Sequence, residues 1–265
     1  LADRPAYDLI VQAMAGFMSV TGVPDGPPTA AGDSLADMAT GLMGSWAILA
    51  ALQGRAATGR GDYIDLAMFD TLRGLQLTRL AQLAASGASN GAPARVGNRH
   101  PVTVPCDTFR TRDGWFALVV PVDAQFATLA RLMDRPELAT DPRFATYAAR
   151  TQHEAALKPV IETWSSALAT DAAVARCLEA GLAAGPVWDH AEAAAADRSR
   201  GSPPATEHSS LGSLTFVTQP ARFGATPAAA SAPDPALGAH TDAVLGDWLG
   251  LSPDAIAALR RARTI

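Results

Sequence analysis

The chain has 265 residues, of which 48% are hydrophobic, 18% charged and 6% aromatic, with 22 glycines and 19 prolines. This is an ordinary globular balance and excludes disordered, collagen-like and coiled-coil chains. The formal charge is −5, from 21 basic against 26 acidic residues, and Lys158 is the single lysine; no lysine-rich phosphate-tracking surface can be built, so nucleic acid is not an expected partner.

The opening LADRPAYDL carries charges where a signal peptide has its apolar core, so the expected location is the cytoplasm. Apolar residues at Leu9, Ile10, Ala13, Met14, Phe17 and Met18 predict a helix over 7–22, ending near Gly22 and Pro24. A Pro/Gly loop then leads into LADMATGLMGSWAILAAL, residues 35–52, whose length suffices to cross a bilayer. With Asp37 in its first turn, two glycines and no basic flank before it, the segment reads as a helix buried in a soluble core, with no membrane as partner. Thr58–Gly61 predict a turn, and Tyr63, Ile64, Leu66 and Met68 a short buried strand. Strand, helix and glycine loop in alternation predict an α/β layer.

From about Ala85 the chain turns poor in large apolar residues, which predicts a connecting segment and a domain boundary. Two apolar runs around Arg112-Asp113-Gly114 then predict a β-hairpin. Helices are expected over 123–133, 150–168 and 171–181, giving a small α+β unit of two strands and several helices. Residues 201–236 are again rich in Pro, Ala, Ser and Gly, with one β-like run at Leu214–Val217. Helical character returns at Thr241–Leu249 and at Ser252–Arg261, with Ser252 as cap and Pro253 in the first turn. The alanine clusters at 191–196 and 228–230 read as compositional bias.

Cys106 and Cys177 stand 71 positions apart with no Cys/His spacing, which suggests neither disulfide nor metal site. No glycine-rich phosphate loop, nucleophile elbow or zinc helix motif is present, leaving the carboxylates. Asp37 follows Ser34 by three residues at the entry of an apolar helix. That pattern reads first as a capping box, with a carboxylate held on a rigid element for use as nucleophile or base as the alternative. His100 in GNRHP is a loop histidine open to a base or a structural role, and His240 in GAHTD is expected to cap or orient the C-terminal helix. The arginines of TGRG and GNRH suit phosphates or carboxylates, and the methionines suit core filling.

Taken in order, RPAYDLIVQAMAG, GDSLADMATG, TGRGDYIDLAMFD, VGNRHP, DPRFAT, AAGPV and LGAHTDAVL resemble the class III CoA-transferases, the CaiB/BaiF type family that includes formyl-CoA transferase and α-methylacyl-CoA racemase. The resemblance implies an α/β protein whose C-terminal two-thirds are present here. Residues 1–80 would belong to a Rossmann-like large domain, with 81–108 as linker and 109–202 as the small α+β domain. A second linker, 203–236, would precede a return to the large domain at 237–265, and two subunits would thread through each other as an interlocked homodimer. Asp37 falls on the family's catalytic aspartate, Tyr7, Asp8, Gly97 and Asn98 on substrate-binding positions, and Ala6, Tyr7 and Asp33 on positions facing CoA. The implied chemistry starts with carboxylate attack on an acyl-CoA thioester to give an aspartyl anhydride. An aspartyl-CoA thioester follows, from which a carboxylic acid collects CoA; no permanently bound cofactor is expected. The C-terminal motif departs from the family at Ala239, where a glutamate is usual.

Two other readings stand beside transfer. A 2-methylacyl-CoA racemase needs an acid/base group on each face of the α-carbon. The racemase branch has a histidine thirty positions before its aspartate, where this chain has Tyr7; a tyrosine, with an ordinary pKa near 10, is a poor base at neutral pH. Asp8 beside it is the residue that keeps the reading open. The other is a non-catalytic fragment or dimerisation module.

Overall fold

Gly16 sits in the left-handed region (φ +81) and breaks the helix expected over 7–22 into α1 (Asp8–Met14) and α2 (Phe17–Val20). The computed structural model describes residues 4–86, 94–199, 206–208, 212–214, 220–221, 223–225 and 235–265. Its backbone forms two units, Leu1–Val187 and Trp188–Ile265.

The first unit begins as a helical layer. The apolar helix, α3, runs Leu35–Thr58, six residues longer than expected, and stops at Gly59 in the left-handed conformation. It packs against α1 and against α4 (Met68–Gly74), which α5 (Leu77–Ser86) follows. A small core of Val11, Ala15, Ala36 and Leu72 joins these helices. Two expectations fail here. The strand expected around Tyr63–Met68 does not form: residues 60–67 lie outside regular structure and Tyr63 is exposed, because no strand among the described residues offers it a ladder. Nor is α3 buried: of its 24 residues Ala36 alone is buried, while Leu42, Trp46, Ile48 and Leu49 are each more than half exposed. The helix is long and apolar enough to cross a membrane by length and composition alone, as core helices of soluble proteins also are. Composition requires an open apolar face to be covered but does not specify by what.

The expected hairpin is present. Strand β1 (Cys106–Arg110) pairs antiparallel with β2 (Trp115–Val119) in register Arg110↔Trp115, and Thr111 N–H closes the turn onto the Gly114 carbonyl at 3.0 Å. Phe109 on β1 and Phe116 and Leu118 on β2 point to the buried face, as period-2 alternation requires. Over that face lie α6 (Asp123–Leu132), α8 (Glu154–Ser165) and α9 (Thr170–Glu179), with α7 (Tyr147–Gln152) packed against α8. Phe126, Leu129, Leu157, Ile161, Val174 and Cys177 fill the space between. A third strand, β3 (Ala183–Pro186), pairs antiparallel with β2, correcting the expected count of two. Its Ala-Ala-Gly-Pro sequence has no β-branched or aromatic residue to announce a strand.

In the second unit the alanine run at 191–196 is helical, correcting its reading as mere bias: α10 spans His190–Ser199. Alanine is the best helix former, and the helix opens on a reciprocal capping box. Glu192 N–H donates to Asp189 Oδ1 and Asp189 N–H to Glu192 Oε2, both at 2.8 Å. Strands β4 (Thr206–His208) and β5 (Gly212–Leu214) pair antiparallel; residues 215–217 of the expected β-run, and the 228–230 alanines, lie outside the described residues. The helix expected over 241–249 is a short α turn, α11 (Thr241–Ala243), running into a π turn (Val244–Trp248). Helix α12 (Pro253–Arg261) starts as expected, with Ser252 Oγ accepting the Ala255 N–H at 3.3 Å.

Candidate functional site

The first turn of α1 and the first turn of α3 are joined through two polar side chains. Asp8 Oδ1 accepts the Ala36 N–H at 2.6 Å. Its Oδ2 accepts from Gln12 Nε2, also at 2.6 Å. Gln12, one helical turn further on, is buried; its Oε1 accepts the Ala31 N–H at 2.8 Å, and its amide reaches the Asp33 carbonyl at 3.4 Å. The orphan N–H at the start of α3 is therefore satisfied by a carboxylate 28 positions earlier. Ser34 occupies the cap position, but its side chain makes no capping bond, which corrects the capping-box reading. Asp8 fills the site that the Ser34 hydroxyl would otherwise take.

Asp37 projects from that same first turn and is exposed. Among the described residues its carboxylate has neither a hydrogen-bond nor an ion-pair partner. Tyr7 precedes Asp8 and is 79% exposed; Ala6 and Asp33 are exposed too, and Asp33 Oδ1 accepts the Ser34 N–H at 2.7 Å. Tyr7, Asp8, Asp33 and Asp37 are thus gathered at the junction of α1 and α3, an open rim with one free carboxylate at the positive end of a helix dipole.

The Gly97–Asn98 loop is built differently. Gly97 has φ +66 and donates its N–H to the Gly22 carbonyl at 2.9 Å. Two residues earlier, Arg95 binds the Val23, Pro24 and Gly26 carbonyls. Asn98 Nδ2 donates to Thr108 Oγ1 on β1 at 2.9 Å. The loop therefore ties the 22–26 turn to the sheet, and no hydrogen bond among the described residues links it to Tyr7, Asp8 or Asp37. Arg99 contacts Glu154 at 3.7 Å. Burial, and then the Arg99 charge nearby, hold the Arg79 guanidinium below its ordinary range.

His100 Nδ1 accepts the Thr103 N–H at 3.0 Å, which gives the ring a turn-forming role. His240 precedes α11 but its side chain makes no capping bond; its carbonyl accepts the Val244 N–H instead, correcting the cap expected there. Burial raises the thiol of Cys177 to about 11. Cys106 is raised as well, by burial and then by the adjacent Asp107. Neither thiol is activated. Gln12 and Arg95 were not anticipated, although one signal for Gln12 is readable: a polar residue four positions after Asp8 on an otherwise apolar helix.

A helical platform presenting an exposed aspartate, followed by a small antiparallel sheet covered by helices, makes this a mixed α/β protein. The CAIB/BAIF family protein from Brucella suis superposes with a TM-score of 0.75 at 33% identity, over 93% of this chain and 64% of that one. The chain belongs to CoA-transferase family III, whose family model matches residues 1–241. It is 43% identical over 196 residues to the acetyl-CoA:oxalate CoA-transferase of Acetobacter aceti, covering 73% of this chain and 49% of the relative. It is 32% identical over 266 residues to the succinyl-CoA–D-citramalate CoA-transferase of Chloroflexus aurantiacus, covering 99% and 65%. The chain thus spans about half to two-thirds of the length of these relatives.

Proposed function

We propose that the protein transfers CoA from an acyl-CoA thioester to a carboxylic acid, with Asp37 as the covalent nucleophile. The observation that carries this reading is the Asp37 carboxylate itself: unpartnered among the described residues, exposed and fixed to the first turn of α3, in a chain matched by the CoA-transferase family over residues 1–241. The carboxylate attacks the thioester carbonyl, CoA leaves as thiolate, and the resulting anhydride is reopened by that thiolate to give an aspartyl-CoA thioester and the free donor acid. The acceptor carboxylate then attacks the aspartyl-CoA carbonyl, expelling CoA thiolate and forming a second anhydride, and the thiolate attacks the acceptor's carbonyl of that anhydride to give the new acyl-CoA and free the Asp37 carboxylate. Tyr7, at the same rim, donates its hydroxyl to the developing oxyanions.

The uncovered apolar face of α3 supports a working enzyme in which a Rossmann-like half or a partner subunit of an interlocked homodimer covers it. The test is direct. The protein is incubated with acetyl-CoA and oxalate, or with succinyl-CoA and citramalate, and the peptide holding Asp37 is examined by mass spectrometry for bound CoA and for hydroxylamine trapping. Asp37→Ala should abolish both, whereas transfer retained in Asp37→Asn after deamidation is excluded would refute the assignment.

The same open face favours a second reading, a module that dimerises but does not turn over. Titration calorimetry of this chain with CoA separates the two: micromolar binding counts against the module.

A further inference from the structure

We infer that Asp8 and Gln12 are positioning residues for Asp37, clamping the turn from which the nucleophile projects; the inference rests on the proposed CoA transfer. Three backbone points of the segment 31–36 are gripped from one face of α1: Ala31 N–H by Gln12 Oε1, the Asp33 carbonyl by the Gln12 amide, and Ala36 N–H by Asp8 Oδ1. The two side chains are locked to each other at 2.6 Å. Ala36, fully buried, immediately precedes Asp37. Asp37 has no side-chain bond of its own among the described residues, so its placement derives from the backbone beneath it. A nucleophile must meet the reacting carbon at about 3–3.5 Å, and a misplacement of about 1 Å is enough to cost roughly a hundredfold in rate.

The sequence alone left Asp8 open as an acid/base group. The geometry assigns it to the clamp: one oxygen holds a main-chain N–H, the other a buried amide, and its charge lies at the positive end of α3. Asp8→Asn keeps the bond to Ala36 but sets two amide donors against each other at Gln12; turning the glutamine over moves the clash to the Ala31 N–H. Adding Gln12→Glu resolves it, since the amide introduced at position 8 then donates to one oxygen of the carboxylate introduced at position 12, while the other oxygen accepts the Ala31 N–H. The double variant restores the three short bonds, to Ala36, to Ala31 and between the two side chains, moves the charge from position 8 to position 12, and gives up the longer 3.4 Å bond to the Asp33 carbonyl.

The experiment compares the unaltered protein, Asp8→Asn and Asp8→Asn/Gln12→Glu by amide hydrogen exchange over residues 31–37 and by kcat and KM for CoA transfer. The expected result for Asp8→Asn is exchange about tenfold faster and kcat roughly a hundredfold lower with KM within about twofold; the double variant recovers most of both. Unchanged exchange in Asp8→Asn overturns the clamp. So does a kcat loss that persists when exchange is restored, since that marks a carboxylate needed at position 8 itself. If Asp8→Asn does not fold, Gln12→Met makes the same comparison, freeing Asp8 Oδ2 while leaving the Ala36 bond. Transfer absent from the unaltered protein and from Asp37→Ala alike defeats the proposed function instead, while the exchange data still judge the clamp.

Discussion

Asp113 Oδ1 accepts both the main-chain N–H and the hydroxyl of Thr170 at 2.8 Å. The turn of the β1–β2 hairpin thereby satisfies the first turn of α9, 57 residues away. The Asp-Gly pair that signals the hairpin in the sequence has two tasks: Gly114 leaves room for the Thr170 hydroxyl, which would lie 3.1 Å from a Cβ there, and Asp113 anchors the helix.

The anchor has a pH dependence of definite sign. The Thr170 N–H first, and its hydroxyl second, hold the Asp113 carboxyl below the usual carboxylate range. A folded-state pKa below the unfolded value, near 3.9, means that the contribution is fully present above about pH 4 and is lost as pH falls through the folded value. The Thr170 amide resonance, followed from about pH 7 downward, should stay fixed to about pH 4 and move only below it. A transition centred near neutrality would contradict this.

Helix α3 gives a stability comparison. Ser34 makes no capping bond, so Ser34→Ala should change stability by no more than about 0.5 kcal/mol. Asp8→Ala removes the acceptor of the Ala36 N–H and strands the buried Gln12 amide, and should cost about 1–2 kcal/mol. Urea unfolding of the two variants checks the order, and the reverse order would show that Ser34 caps the helix after all.

The β1–β2 hairpin and the helices over it were legible in the sequence because each signal there is local: the Asp-Gly turn, period-2 alternation in β1 and β2, and 3.6-residue spacing in α6 and α9; β3, with no such signal, was not. The candidate site was legible only as residue types. Asp37 could be picked out from its pattern, and Asp8 and Asp33 only through the family resemblance, but the pairing of Asp8 with Ala36 crosses 28 residues, and Ser34-Leu35-Ala36-Asp37 offered a complete local alternative that tertiary structure overrides. The run at Tyr63–Met68 failed for a related reason, since period-2 alternation describes a face and does not supply the neighbouring strand that must pair with it.

Arg150 is a strong lever on the small unit. Its guanidinium is fully buried, donates to the Val104 and Phe144 carbonyls at 3.1 and 3.0 Å, and lies over the Phe126 ring. Its third nitrogen contacts the Asp123 carboxylate at 2.9 Å as an ion pair without hydrogen-bond alignment. Arg150→Leu leaves both carbonyls orphaned in the core and should destabilise by about 3–5 kcal/mol. Arg150→Lys should recover little of that, because one ammonium cannot reproduce the planar fork. Thermal unfolding followed through Trp164, whose ring packs edge-on against Phe116, reports on this unit, and an unchanged midpoint in Arg150→Leu would rule out the role.

The chemistry at Asp37 separates transfer from racemisation. Racemisation needs a second acid/base group opposite the aspartate, and the candidates gathered with it among the described residues are Tyr7, Asp8 and Asp33, of which Asp33 already accepts the Ser34 N–H through Oδ1. Each Asp8 oxygen already accepts a hydrogen bond, from Ala36 N–H and from Gln12. A carboxylate committed to two donors inside the clamp is not free to approach the α-carbon and carry its proton. The Tyr7 phenol carries an O–H suited to donating a hydrogen bond to an acyl or anhydride oxygen. Incubation with a 2-methylacyl-CoA in deuterated water should therefore leave the α-hydrogen in place, while CoA exchange should appear only when an acceptor acid is added. Rapid deuterium uptake in the absence of an acceptor, lost in Asp37→Ala, would reverse the assignment and return Asp8 or Tyr7 to the role of base.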